Sequence, residues 1–368
     1  MLQLKNWIRA HNVKRVGITS FGRNVTTNVN RVTNAAAFDI IYMEKFLTEE
    51  CGIQTDIIRG NKEHDTFASY DLLIVQPCSY VMFGGAWDGW ALDFIYDYVQ
   101  TFSGTTMCIY NDPNIVWANP LKVLSDRNRV RRGGPDVVAD EFDPTFIDMF
   151  ETKKLVGLFI GRNWNAFKEH AKPAKHVIWP NEIVTIKLSE YIFDNEFADC
   201  IVRAADPTTK PYDVVYYGSN RKNKRNKLLN SIFKKNESLN LRWIGYDPGY
   251  PNTTWSKKVA HGKLGPCIEE CLTSIVAGDP AHNDNIVIYR FYEALQFNVV
   301  NLITRVFDPE MYLYQDDLLR KLCYVDSLKD IEVVIDVLRN NDGIYEEVLQ
   351  RQEHEIRRIM HSWKGAEE

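Results

Sequence analysis

The 368-residue sequence contains no G-x-x-x-x-G-K-[ST] phosphate loop, no H-E-x-x-H pair and no G-x-S-x-G turn. P-loop nucleotide hydrolysis, zincin-type proteolysis and α/β-hydrolase chemistry are therefore not expected. No run of about 18 apolar residues is present, so no membrane-spanning helix is expected either. Residues 1–10 mix charges with apolar side chains and lack a long apolar core, which argues against a secretory leader. The seven cysteines are odd in number and scattered, as suits reduced thiols in a cytosol rather than a disulfide framework. Only Cys267 and Cys271 lie close together. Their i,i+4 spacing on an expected helix has no second pair to complete a zinc site.

A net charge of -5 argues against indiscriminate nucleic-acid binding, but the positive charge is clustered. Arg127, Arg129, Arg131 and Arg132 crowd one stretch, and Arg221, Lys222, Lys224, Arg225 and Lys227 crowd another. Either cluster can be a solvated face, and either can meet a phosphate-rich partner. At 45% hydrophobic residues the chain is long enough to bury two cores of ordinary domain size.

The most informative stretch is 213–225, DVVYYGSNRKNKR. A β-branched strand breaks at Gly218-Ser219 and is followed by a helix start carrying Arg221 and Arg225. Free backbone N–H groups and two guanidinium groups at such a start make an anion site fit for a diphosphate. Arg290 and Glu293, three residues apart in NDNIVIYRFYEAL, share one helix face and can meet a nucleotide's phosphate and ribose hydroxyls. The chain has no Asp-x-Asp pair with which to hold a metal on a pyrophosphate. An arginine clamp built from Arg221, Arg225 and Arg290 is the expected substitute, since guanidinium forks pair with phosphate oxygens and stabilise a departing diphosphate. The ordinary structural alternatives are a solvated helix start for Arg221 and Arg225 and an intrahelical ion pair for Arg290 and Glu293.

Strands are expected at residues 15–19, 54–58, 71–75, 107–110, 156–160, 176–179, 214–217, 241–244 and 299–303. Helices are expected at 38–50, 90–102, 225–233, 266–276, 286–297, 331–339 and 345–363. Strand alternating with helix twice over means two doubly wound α/β halves. The expected division is 1–180 for the first Rossmann-like domain and 181–345 for the second. A terminal helix, 346–368, is expected to cross back onto the first domain. Asp112 stands just beyond the strand at 107–110, where open α/β sheets collect their working groups. A turn-capping role before Pro113 is its plain structural alternative.

The chain resembles the DNA β-glucosyltransferase family of T-even bacteriophages. The resemblance rests on YDLLIV followed by Phe83-Gly84-Gly85, the strand ending in Asp112, DVVYYGS with Arg221 and Arg225, HGKL near Gly262, and GDPAHNDN running on to Arg290 and Glu293. It extends from about Arg15 to the final helix. It implies the two-domain GT-B fold with a central cleft, and transfer of a sugar from a UDP-sugar to 5-hydroxymethylcytosine in duplex DNA. By the resemblance, Asp112 is the general base of an inverting displacement. Gly218, Ser219, Arg221, Arg225 and Arg290 surround the diphosphate, Glu293 holds the ribose, and the backbone near Ile244 and Leu264 holds the uracil. Phe83, beside Gly84, fills the gap left by a flipped base. Arg129, Arg131 and Arg132 contact DNA phosphates.

Asp39 stands where the family has a donor-sugar glutamate, one methylene shorter, and the loop at 21–28 departs from the family pattern. The sugar is thus left open between glucose and another such as the pentose arabinose. No tightly bound cofactor is expected, with Mg or Mn at most a stimulant. The partners implied are duplex DNA and a UDP-sugar, with no membrane, for a monomer in the cytoplasm of an infected bacterium. The competing expectations are a GT-B transferase acting on a surface glycan or small molecule, and an inactive nucleotide-sugar or DNA-binding module.

Overall fold

Near-continuous apolar runs become parallel strands because both faces of each are covered. The computed structural model describes residues 1–19, 35–58, 69–75, 102–111, 155–171, 179–197, 206–218, 224–278 and 289–362. The chain divides into two units: Met1–Thr27 with Asn34–Leu188, and Asn28–Thr33 with Ser189–Glu368.

The first unit carries β1 (Arg15–Thr19), β2 (Gln54–Ile58), β3 (Leu72–Val75), β4 (Thr105–Tyr110), β5 (Leu155–Ile160) and β6 (Glu182–Ile186). They form one parallel sheet in the order β2-β1-β3-β4-β5-β6. Every side chain of β3 is buried, as its sequence LLIV requires at the centre of a covered sheet. Helix Ala35–Lys45 follows β1 and closes in a π-helical turn, Phe46–Glu50. At the far edge, helix Leu2–Ala10 is pinned to β6. Trp7 Nε1 donates to Glu182 Oε1 at 2.7 Å, and Gln3 Oε1 accepts from the Thr185 N–H at 3.1 Å. That helix covers an edge strand that would otherwise offer unpaired backbone groups. Residues 182–186, at the expected crossing between domains, are thus the sixth strand of the first sheet.

The second unit carries β7 (Tyr212–Tyr217), β8 (Leu241–Gly245), β9 (Thr253–Lys257), β10 (Cys271–Val276), β11 (Val300–Thr304) and β12 (Tyr324–Val325). Their order, β12-β11-β10-β7-β8-β9, is the doubly wound dinucleotide-type arrangement, with its switch point between β7 and β10. One expected helix, residues 266–276, is corrected. Leu264–Glu269 is helical, and Cys271–Val276 is a strand buried at every position. Cys267 and Cys271 therefore do not share a helix. LTSIV between two covered faces gains more from the sheet than from helical spacing.

Helix Ile344–Ser362 docks on β11 through one buried amide. Gln352 Oε1 accepts from the Asn301 N–H at 2.9 Å, and its Nε2 donates to the Asn301 carbonyl at 2.8 Å. Arg351 and Glu355 tie the same helix to Asp316 and to the Gln315 N–H.

Candidate nucleotide-binding site

At the switch point β7 runs out into Gly218, whose N–H donates to the Ile244 carbonyl at the end of β8 at 3.0 Å. The two strand ends approach so closely that a Cβ on Gly245 would lie 2.1 Å from the Gly218 carbonyl oxygen. Gly245 also sits at φ +125°, a conformation that glycine alone adopts without strain. The Ile244 side chain is buried with Val215, Tyr217 and Ile268, so only its main chain can face a ligand. Leu264, where the 3-10 turn His261–Lys263 enters helix Leu264–Glu269, packs on the same cluster.

Arg290 opens the short helix Arg290–Glu293. Its guanidinium carbon stands 5.0 Å from the Tyr216 ring centroid and 5.1 Å from that of Tyr217. Its Nη2 lies 2.9 Å from where a Gly218 Cβ would be. The missing side chain at Gly218 therefore makes the space in which this cation sits. Cation–π attraction from two rings holds the guanidinium at the carboxyl end of β7, where an anionic ligand meets open α/β sheets.

Glu293, one turn on and 8% exposed, brings its carboxylate to 3.5 Å from His261 Nδ1. Beneath it the Tyr217 hydroxyl donates to the Arg290 carbonyl at 3.4 Å. Burial most of all, then the Glu293 charge, pushes the Tyr217 phenol well above its ordinary range, with the Arg290 charge opposing. The phenol is thus kept a neutral donor.

In the first unit Asp39 lies on the helix after β1 and is 9% exposed. Its Oδ2 accepts from Asn111 Nδ2 at 2.8 Å. Asn111 follows β4, whose last residue, Tyr110, is walled in by Trp164, Phe167 and Trp179.

The structure therefore gathers Gly218, Ile244, Leu264, Arg290 and Glu293 in the second unit and places Asp39 at the strand ends of the first. Asp112, Phe83, Gly84, Arg129, Arg131, Arg132, Ser219 and Arg221 lie outside the described residues. Arg225 falls in helix Lys224–Phe233, but its side chain is not among those described. Three residues join the site that spacing alone did not single out: Tyr217, His261 and Asn111. His261 stands in HGKL and Asn111 directly precedes Asp112, but nothing in those strings says which carboxylate each one meets. Among the described residues no cluster of three or more His, Cys, Asp or Glu side chains is placed to hold a metal ion.

Solved structures of T4 phage β-glucosyltransferase share this architecture across both units. An Asp-to-Ala mutant of that enzyme in complex with UDP-glucose matches with a TM-score of 0.69 at 21% identity, covering 96% of this chain and 98% of that one. The chain has the two-domain GT-B fold. The T4 enzyme with UDP-glucose gives 0.68 at 20% identity, and with UDP and Mn2+ 0.68 at 21%, each at the same coverage of both chains. No protein-family model matches the sequence, and no curated protein matches it.

Proposed function

We propose that this protein is a phage DNA glycosyltransferase that moves a sugar from a UDP-sugar to the hydroxymethyl group of 5-hydroxymethylcytosine in duplex DNA. The observation that carries the reading is the Arg290 guanidinium held over Gly218 at the β7/β10 switch point, with the buried Glu293 carboxylate one turn away. One cation for a diphosphate and one carboxylate for a diol is the polar pattern that a nucleoside diphosphate requires. The fold likeness to an enzyme solved with UDP-glucose supports the same ligand class.

In this reading Arg290, with Arg221, Arg225 and Ser219, holds the diphosphate, and Glu293 the ribose hydroxyls. The main chain at Ile244 and Leu264 meets the uracil. The hydroxymethyl oxygen attacks the anomeric carbon and the bond from that carbon to the diphosphate oxygen breaks. The electron pair leaves on UDP, and the hydroxyl proton passes to the Asp112 carboxylate. The configuration at that carbon inverts. Asp39 faces the donor sugar, Phe83 and Gly84 serve the flipped base, and Arg129, Arg131 and Arg132 meet DNA phosphates. The enzyme works as a monomer in the cytoplasm of the infected host, where sugar-coated DNA resists nucleases.

The shorter carboxylate at Asp39 leaves room for a sugar other than glucose. Incubating hydroxymethylated duplex DNA with a panel of UDP-sugars, UDP-glucose and UDP-arabinose among them, and weighing the released nucleosides tests the proposal. A mass gain of one hexose or one pentose on hydroxymethylcytosine is expected. No gain with any donor overturns it, and salt-insensitive DNA binding alongside transfer to a free glycan would point to the other acceptor class.

A further inference from the structure

The Glu293 carboxylate has a partner on its solvent side. His261 Nδ1 approaches its Oε1 to 3.5 Å from the 3-10 turn at His261–Lys263, while the neutral Tyr217 phenol lies near it on the buried side. The turn is itself fixed: the Lys263 N–H donates to the Ala260 carbonyl at 2.9 Å, and Val259 and Leu264 pack on the cluster containing Tyr217, Ile244 and Ala294. Ala294 is the next residue after Glu293, so one apolar cluster sets the separation of imidazole and carboxylate. Both groups keep some exposure, 19% for the His261 side chain and 10% for that of Glu293, so the pair lies at a rim rather than in the core.

We infer that His261 is a positioning residue that sets the Glu293 carboxylate for a vicinal diol; the inference rests on the nucleotide-site reading above. An ionised carboxylate has about four acceptor positions. A ribose diol asks for two of them, and His261 Nδ1, 3.5 Å from Oε1, stands beside one carboxylate oxygen. A glutamate side chain has three rotatable bonds, and unless it is held it must be ordered at the moment of binding, at a cost in affinity. The imidazole lowers that cost on the solvent side, where it stands 3.5 Å from Oε1. His261 thereby acts on recognition of the ribose and not on the sugar that is transferred.

The test is calorimetric titration of the full chain, wild type and His261→Ala, with three probes: UDP, 2′,3′-dideoxyuridine diphosphate and inorganic pyrophosphate. Wild type is expected to prefer UDP over the dideoxy analogue by about tenfold or more, the worth of hydrogen bonds to a charged group. In His261→Ala that preference falls to about threefold or less, while pyrophosphate binding, which depends on Arg290, stays within about twofold. His261→Asn, which can present an N–H near the Nδ1 position, restores most of the preference. In turnover, His261→Ala raises KM for the UDP-sugar and leaves kcat nearly unchanged, the signature of lost uniform binding. If His261→Ala binds UDP and keeps the full preference, the inference is overturned and the nucleotide site stands. If wild type shows no preference for UDP over the dideoxy analogue, the ribose-binding role of Glu293 falls first and takes the inference with it.

Discussion

Asn111 Nδ2 donates to Asp39 Oδ2 at 2.8 Å, and this bond ties the residue that follows β4 to the helix that follows β1. A carboxylate that is only 9% exposed depends on such donors, because a buried acceptor stripped of a partner bears its full desolvation penalty. Asn111→Ala should therefore destabilise the first unit by about 1–3 kcal/mol, read from the midpoint of urea unfolding. Because Asp39 is the proposed donor-sugar contact, the same substitution should also blur the choice among UDP-sugars. Unchanged stability together with unchanged donor selectivity would remove Asn111 from the site.

Gly218 and Gly245 make contrasting demands. Adding a methyl group at Gly218 meets Arg290 Nη2 and the Tyr216 hydroxyl, both at 2.9 Å and both on side chains that can shift. Gly218→Ala should fold, displace the guanidinium and weaken UDP binding about tenfold, the scale of one charge-assisted hydrogen bond. At Gly245 the obstacle is backbone, 2.1 Å away, and φ is +125°. Gly245→Ala should cost about 3 kcal/mol or more in stability. Gly52, at φ +67° with nothing within 4 Å of an added Cβ, is the control, and its alanine variant should lose only about 1 kcal/mol. Equal losses at Gly52 and Gly245 would mean that strand crowding contributes nothing.

Legibility in the sequence follows largely from exposure. β1, β3, β4, β5, β7, β8 and β11 read directly as apolar runs because their sheets cover them on both faces, and β2 (QTDII) reads as a strand although it is a partly exposed edge. β6 (EIVTI) and β9 (TTWSK) are edge strands whose polar, partly exposed residues mimic loop sequence, and β12 is only two residues long. β10 reads as helix in the sequence because CIEECLTSIV satisfies helical spacing as well as it fills a buried strand. At the site, Arg290 and Glu293 are visible as a spaced pair of charges. The pairings of Glu293 with His261, Arg290 with Tyr216 and Asp39 with Asn111 join segments far apart in the chain, and only the topology brings them together.

The helix Leu328–Asn340 begins with a reciprocal cap. The Asp330 N–H donates to Ser327 Oγ at 3.2 Å, and the Ser327 N–H donates to Asp330 Oδ2 at 3.0 Å. The Asp326 N–H most of all, against some desolvation, and then the Ser327 hydroxyl and N–H hold the Asp330 carboxyl below its ordinary value. A carboxyl depressed in the folded state adds stability that is fully present above its unfolded value. That contribution fades as the pH falls through the folded value. Acidification below the ordinary aspartate range should therefore erode the second unit, and Asp330→Asn should flatten that slope. Ser327→Ala should cost about 0.5–2 kcal/mol at neutral pH. Thermal melts across an acidic pH series check both, and a slope unchanged by Asp330→Asn would place the acid sensitivity elsewhere.

In the proposed reaction, substitutions at Asp112 and Arg290 separate the chemical step from the grip on the leaving group. Asp112→Asn keeps the size and polarity of the side chain but cannot take up the hydroxyl proton. Turnover should fall by about 10²–10⁴ while calorimetric UDP affinity stays near wild type. Arg290→Lys keeps the charge but loses the planar fork and its stacking over Tyr216 and Tyr217. It should weaken UDP binding and lower kcat/KM together by about 10²-fold, because the same contact that binds the diphosphate strengthens as charge develops on it. Should Asp112→Asn turn over normally, the base lies elsewhere. Should Arg290→Lys bind UDP as tightly as wild type, the guanidinium over Gly218 is a structural cation and not a phosphate ligand.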